Sequence, residues 1–207
     1  MNTFSTLKKL ALDMVPVFLA VFLAYQVNEY RDYRKEQENL KEAIKNIRLE
    51  LLENKKEADT CAHYHMLMIQ RLKMIKNKYD SGKMEPYQNF IYFLADISQE
   101  KRNLVLPRLS EISFETAKRK HAVSSMDYNT VNKISSVYMN MEDGVKSTQK
   151  LLLQSVSDPD IVALKDFERA YSMLGGFIHE LYSQEKYLSK QIELTLEHLD
   201  ENFPAND

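Results

Sequence analysis

Glycine and proline are scarce: four Gly and five Pro serve 207 residues. So few turn formers allow few chain reversals, and a small number of long helices is expected. The single cysteine, Cys61, excludes an internal disulfide and leaves the compartment open. Strong charge of either sign is missing as well. The formal net charge is −2, which provides no overall footprint for nucleic acid or anionic lipid. The chain has no Gly-rich phosphate loop, no Gly-x-Ser-x-Gly and no Cys-x-x-Cys. No catalytic residue, cofactor site or metal site is assigned, and an enzyme is not expected. Low-complexity segments and internal repeats are also missing.

What is present begins with one strongly apolar run, residues 10–27, LALDMVPVFLAVFLAYQV. A spanning helix needs about 20 mostly apolar residues, and this run is expected to be a membrane anchor. Leu10, Phe18 and Phe22 contribute to its apolar body. Lys8 and Lys9 can snorkel from one end. Tyr25, Tyr30 and Tyr33 supply interfacial rings at the other. Asp13 near the start can cap the helix, which places Pro16 in the first turn. A cleaved signal peptide fits less well, because Phe22 would fall on a small-residue position of the cleavage site. A buried core helix is the third reading.

Beyond the run, no helix breaker appears before Gly82. Leu40, Ile44, Ile47, Leu51, Asn54, Ala58, Cys61, His65, Met68, Leu72, Ile75 and Tyr79 follow one another in alternating steps of four and three. That period predicts one long helix with coiled-coil-like packing. Gly82 suits its left-handed C-terminal cap. Pro86 is placed in the first turn of the next helix, whose Phe90, Ile91, Phe93, Leu94 and Ile97 form a broad apolar face. Leu109, Ile112, Ala117 and Val123 line a weaker helix. The step returns at Val131, Ile134, Tyr138, Met141, Val145, Thr148 and Leu152. After the Asp158-Pro159 turn it returns again, from Leu164 and Phe167 through Glu185 to Leu199.

The expected fold is therefore all-α: an N-terminal transmembrane helix continuing into a long helix, and an elongated antiparallel bundle with coiled-coil-like packing. Residues 1–30 form the tail and anchor, 31–203 the bundle and 204–207 a disordered tail.

Several residues are candidates for more than packing. Asn54 and Glu185 interrupt apolar stripes, where a polar residue can fix register or partner number. Cys61 and His65, four apart, share a helix face with metal-chelating spacing, but both lie on the stripe, His63 points elsewhere, and no second cluster supplies the missing ligands. Gly175 and Gly176 inside the last helix suit a close helix approach or a kink. Asn54, Cys61, His65, Gly175 and Gly176 are taken as the interaction residues. Lys118-Arg119-Lys120-His121 is a basic run, better read as a solvated helix end. His179-Glu180 begins a metalloprotease motif that Ser183 breaks.

The start of the chain resembles a family of uncharacterised bacterial single-span membrane proteins, known as a domain of unknown function. The match lies in Asp13 and in Ala24, Gln26, Val27, Asn28, Tyr30 and Asp32, with Tyr30 where a Trp is usual. The step from Leu51 to Asn54 and residues 112–138 are similar too. The resemblance implies a helical membrane protein and no activity. The reading is then a single-pass protein of the bacterial inner membrane, the side of its soluble part undetermined. It would act by protein–protein interaction or scaffolding, with the lipid bilayer and a second copy or another protein as partners and no nucleic acid. The alternative is a tethered sensor module that binds a small ligand beside Phe90–Ile97.

Overall fold

The structure, a computed structural model, describes residues 3–85, 87–98, 104–164 and 166–204, with side chains from residue 14 onward. It is all-helical, with no strand among the described residues. Helix α1 is Thr3–Asp80, α2 Phe90–Ile97 and α3 Ile112–Arg119. A 3₁₀ turn at Ala122–Ser125 leads to α4, Tyr128–Met139. A π-helical turn, Asn140–Lys146, joins α4 to α5, Ser147–Ser155. The short α6, Pro159–Val162, precedes α7, Phe167–Asn202.

Helix α7 returns antiparallel along α1. Arg48 meets Asp200, Asp59 meets Ser189, His65 meets Glu185, and Lys76 meets Glu168. The stripe of α1 lies in this seam: every member from Leu40 to Ile75 is buried, and Tyr79 is half-buried. Leu174, Ile178, Leu181, Leu188, Ile192 and Leu199 of α7 are fully buried. Ile134, Tyr138, Met141, Val145 and Leu152 add a third side. The apolar side chains thus leave water on the period their spacing dictates.

The helix ends follow local chemistry. Gly82 takes φ +65 after α1, a conformation that costs a Cβ-bearing residue energy. Asn89, Asp127, Asp158 and Asp166 cap the starts of α2, α4, α6 and α7 with side-chain oxygens. Pro159 occupies the first helical turn after its cap.

Three local expectations change, and the end of α7 gains a partner. Pro16 sits inside α1 rather than in a first turn, because the helix already runs from Thr3. The last helix is not continuous from Pro159: Leu164 turns left-handed at φ 49, and Asp166 caps a new helix. Ile112 is 73% exposed, while Phe114 and Ala117 supply the buried face of α3. The acidic C-terminal segment is helical to Asn202 and held by Arg48, with Pro204 following. Pro86, most of the connector after α2, and residues 205–207 lie outside the described residues.

The anchor expectation is corrected. Among the described residues, no helix is long and apolar enough to cross a membrane. Leu10 and Asp13 lie outside the described side chains. The whole run, residues 10–27, would span roughly 27 Å as helix, below a bilayer core of about 30 Å, and carries Asp13. Asn28, Glu29, Arg31 and Asp32 follow it at once. Pro16, Phe18, Phe22, Tyr25 and Tyr30 stand on an exposed section of α1. The localisation in a bacterial inner membrane falls with the span.

Phe167 ties α2 to the α1–α7 pair. Its ring lies 4.6 Å from Tyr79, 5.3 Å from Phe93 and 6.2 Å from both Tyr87 and Tyr171. Phe167→Ala is expected to destabilise the fold by about 3–5 kcal/mol. Urea unfolding of the variant checks this, and a loss under about 1 kcal/mol would mean that the cluster is not packed this way.

Candidate functional site

The polar residues of the seam were the sharpest features of the sequence, and the structure gives each an intrachain neighbour. Asn54, 1% exposed, reaches the connector before α3. Its amide nitrogen donates to the Ser110 carbonyl at 2.7 Å, and its oxygen accepts from the Ser110 N–H at 2.8 Å. The side chain thus pairs with a backbone unit as a neighbouring strand would, which satisfies buried groups of a segment without regular structure.

One turn apart further along α1, Cys61 and His65 face α7. His65 Nδ1 lies 2.8 Å from Glu185 Oε2, with both side chains fully buried. A single proton bridges them. Burial pushes the Glu185 carboxyl above its ordinary value, and the hydrogen bond and charge of His65 only partly pull it back. His65 Nε2 and Glu185 Oε1 have no hydrogen-bond partner among the described residues, an added cost of burying the pair. Cys61 is 1% exposed. Burial first, then the charges of Glu185 and Glu57, push its thiol up to about 12.

These three residues therefore lie inside the chain's own packing rather than on an outward interaction face. Among the described residues, no group of three His, Cys, Asp or Glu is arranged to hold a metal. The bridged pair can hold a proton, but it offers no surface from which to pass that proton to a substrate. The two glycines are not packing requirements either. A Cβ on Gly175 would meet Leu72 Cδ1 at an ordinary 4.0 Å, and one on Gly176 would meet nothing. Helix α7 runs unbroken through both.

Glu50 is the residue that periodicity missed. It is 6% exposed and stands beside the stripe residue Leu51. Its Oε2 accepts from Ser110 Oγ at 2.7 Å and from the Ser113 N–H at 2.9 Å. Its Oε1 accepts from the Tyr138 hydroxyl at 2.7 Å. Glu111 precedes α3 without a capping bond, so a carboxylate from α1 fills that role at the positive end of α3. Burial, then the Glu50 hydrogen bond and charge, push the Tyr138 phenol well above its usual range. The Tyr138 ring stacks on Phe114 at 4.7 Å. Nothing local in the sequence marked Glu50, because its partners lie 60 and more residues away.

A second cluster holds α2. Arg71 donates to Asp96 Oδ1 from Nε at 3.0 Å and from Nη2 at 2.5 Å, and the Tyr87 hydroxyl donates to Oδ2. Burial pushes Asp96 up, but the bonds from Tyr87 and Arg71 outweigh it and hold the carboxyl below its usual range. Phe90, Phe93 and Ile97 are buried. The surface imagined as a pocket wall is thus filled by Tyr87 and Phe167. In the basic run, Lys118 pairs with Glu115, and Lys120 lies 3.3 Å from Glu42.

The largest uncovered apolar surface is the early part of α1. Met14, Val17, Phe18, Val21, Leu23, Tyr25, Val27, Tyr30 and Tyr33 are each more than half exposed. They occupy all sides of the helix and meet no other element. No protein-family model, curated protein or solved structure matches this chain. The family resemblance therefore rests on the residues quoted for it.

Two outcomes follow for the buried seam. Cys61 should resist maleimide in the native chain and react only at the rate of unfolding; labelling within seconds would put it at a surface. For Glu185, the raised folded value means that its protonated form is favoured by folding. Its contribution to stability is complete below about pH 4.5, the ordinary value, and is lost as pH rises through the raised one. Glu185→Gln should remove that loss, so its stability relative to wild type should climb with pH above about 4.5. Urea unfolding across pH measures the slope, and a flat or falling difference would be the contrary result.

Proposed function

We propose that this chain is a helical assembly protein that associates with a second copy of itself through the N-terminal part of α1. The remainder is read as an elongated antiparallel bundle with coiled-coil-like packing that carries this helix. The observation supporting the reading is the exposed apolar surface of residues 14–33, which α7 does not reach.

The stripe buried against α7 extends upstream in the same steps. Counting back from Leu40 gives Gln37, Tyr33, Tyr30, Gln26, Leu23 and Leu19. Leu19, Leu23, Tyr30 and Tyr33 are 51%, 61%, 63% and 59% exposed. An in-phase seam with no partner in its own chain suits another helix of the same period. Gln26 and Gln37 on that seam can fix its register. The flanking charges balance in number: Glu29, Asp32, Glu36 and Glu38 against Arg31, Arg34, Lys35 and Lys41. Two copies therefore meet without net repulsion.

Leu23→Glu with Tyr30→Glu tests the assembly. Both side chains are exposed, so the monomer fold should keep its stability to within about 0.5 kcal/mol. Light scattering is expected to give a fixed oligomer mass for the wild type and a monomer mass for the double variant. A wild type that remains monomeric at high micromolar concentration would overturn self-assembly and direct attention to a different protein partner.

A further inference from the structure

Where α7 stops, it leaves a groove of about 770 Å³ against α1. That volume lies in the usual range of roughly 300–1,000 Å³ for small-molecule sites. Its apolar lining comes from Leu40, Ile44 and Phe203, with Leu49 and Pro204 at the edges. Lys41, Lys45 and Arg48 also line it, and no acidic residue does.

The three cations differ in availability. Arg48 is engaged in holding the groove together. Its Nη2 donates to the carbonyls of Leu199 and Phe203, each at 3.0 Å, and its Nε lies 3.0 Å from Asp200. These bonds satisfy the last turn of α7 and seat Phe203 as one wall. Lys41 and Lys45 are exposed and one turn apart on the same helix side. Neither makes an ion pair or hydrogen bond with a described residue. An apolar floor beneath two free ammonium groups matches an alkyl chain with a negatively charged head.

We propose that this groove is a binding site for a single-chain amphiphile with an anionic head, of the fatty carboxylate class. The alkyl chain lies against Leu49 and Phe203, which keep apolar surface beside the buried Leu40 and Ile44, so burial removes apolar surface of both partners from water. The carboxylate sits between the ammonium groups of Lys41 and Lys45, in charge-assisted contact. This site does not depend on self-assembly through residues 14–33.

The test is fluorescence titration of the full chain with a dansyl-labelled undecanoate, beside an uncharged alcohol analogue of the same length. The expected result is saturable binding of one undecanoate per chain. Lys41→Glu with Lys45→Glu, both at exposed positions, should weaken it about tenfold or more. The alcohol should bind weakly and equally to wild type and variant. Phe203→Ala should weaken both probes, with circular dichroism confirming an intact fold. The absence of saturable binding, or equal undecanoate affinity in the lysine variant, overturns the proposal. Loss of binding in Leu23→Glu with Tyr30→Glu but not in the lysine variant would locate the probe on the early part of α1 and overturn it equally. Light scattering on the same samples reports assembly separately, so either idea can fail alone.

Discussion

A mismatch in helix length governs this molecule. Helix α1 has 78 residues and α7, its antiparallel partner, has 36. At about 1.5 Å per residue these are roughly 117 Å and 54 Å. The hydrophobic seam requires both helices, so it can close only over the second half of α1, where Leu40 to Tyr79 face residues 167–199. Upstream of the residues beside the Ala122–Ser125 turn, the described part of α1 keeps the chemistry of a packed helix with its side chains exposed. Fold and unsatisfied surface are thus two consequences of one sequence period.

Within the closed half, polar contacts do what Leu-on-Leu packing cannot. Apolar side chains on a heptad tolerate a shift by one repeat, because each hole resembles the next. The contacts Arg48–Asp200, Asp59–Ser189, His65–Glu185 and Lys76–Glu168 are spaced along the seam and match in only one register. His65–Glu185 is the costly member, since desolvation takes back much of what the bridge contributes. Its gain lies in making every slipped register worse, for a slip would leave both groups buried and alone. Glu50 and Asn54 perform a related task for the connector. They give part-buried backbone groups of Ser110, in the connector, and Ser113, in the first turn of α3, partners that neither segment supplies for itself.

What the sequence shows, and what it hides, follows from the same physics. Periodicity exposed the three stripes because burial repeats every three or four residues. It marked Asn54 and Glu185 as anomalies for that reason, though not what would meet them. The Asp158-Pro159 turn and the Gly82 cap were legible because their chemistry is local. Glu50 stayed hidden because its partners are 60 and more residues away, and a Glu beside a stripe looks like any solvated flank. The left-handed Leu164 and the π-helical turn at Asn140–Lys146 carry no compositional mark, since tertiary packing imposes them. The apolar run suggested a membrane from hydropathy alone. In the described structure its helix continues into the charged residues 28–39 without a break, and the apolar length falls short of a span.

The end of α7 is therefore the decisive place along α1. Helix termini leave carbonyls without partners, and here Arg48 of α1 supplies donors to two of them. These bonds hold the end of α7 against α1, and Pro204 follows, which cannot continue the helix. Arg48 also engages Asp200, while Lys41 and Lys45 stay exposed. A guanidinium suits this role because its planar fork reaches two carbonyls and a carboxylate together, which an ammonium point charge does less well. Arg48 thus marks the boundary between the covered and uncovered halves of α1. The groove, the free lysines and the open seam meet at that boundary because each is made of what α7 leaves behind.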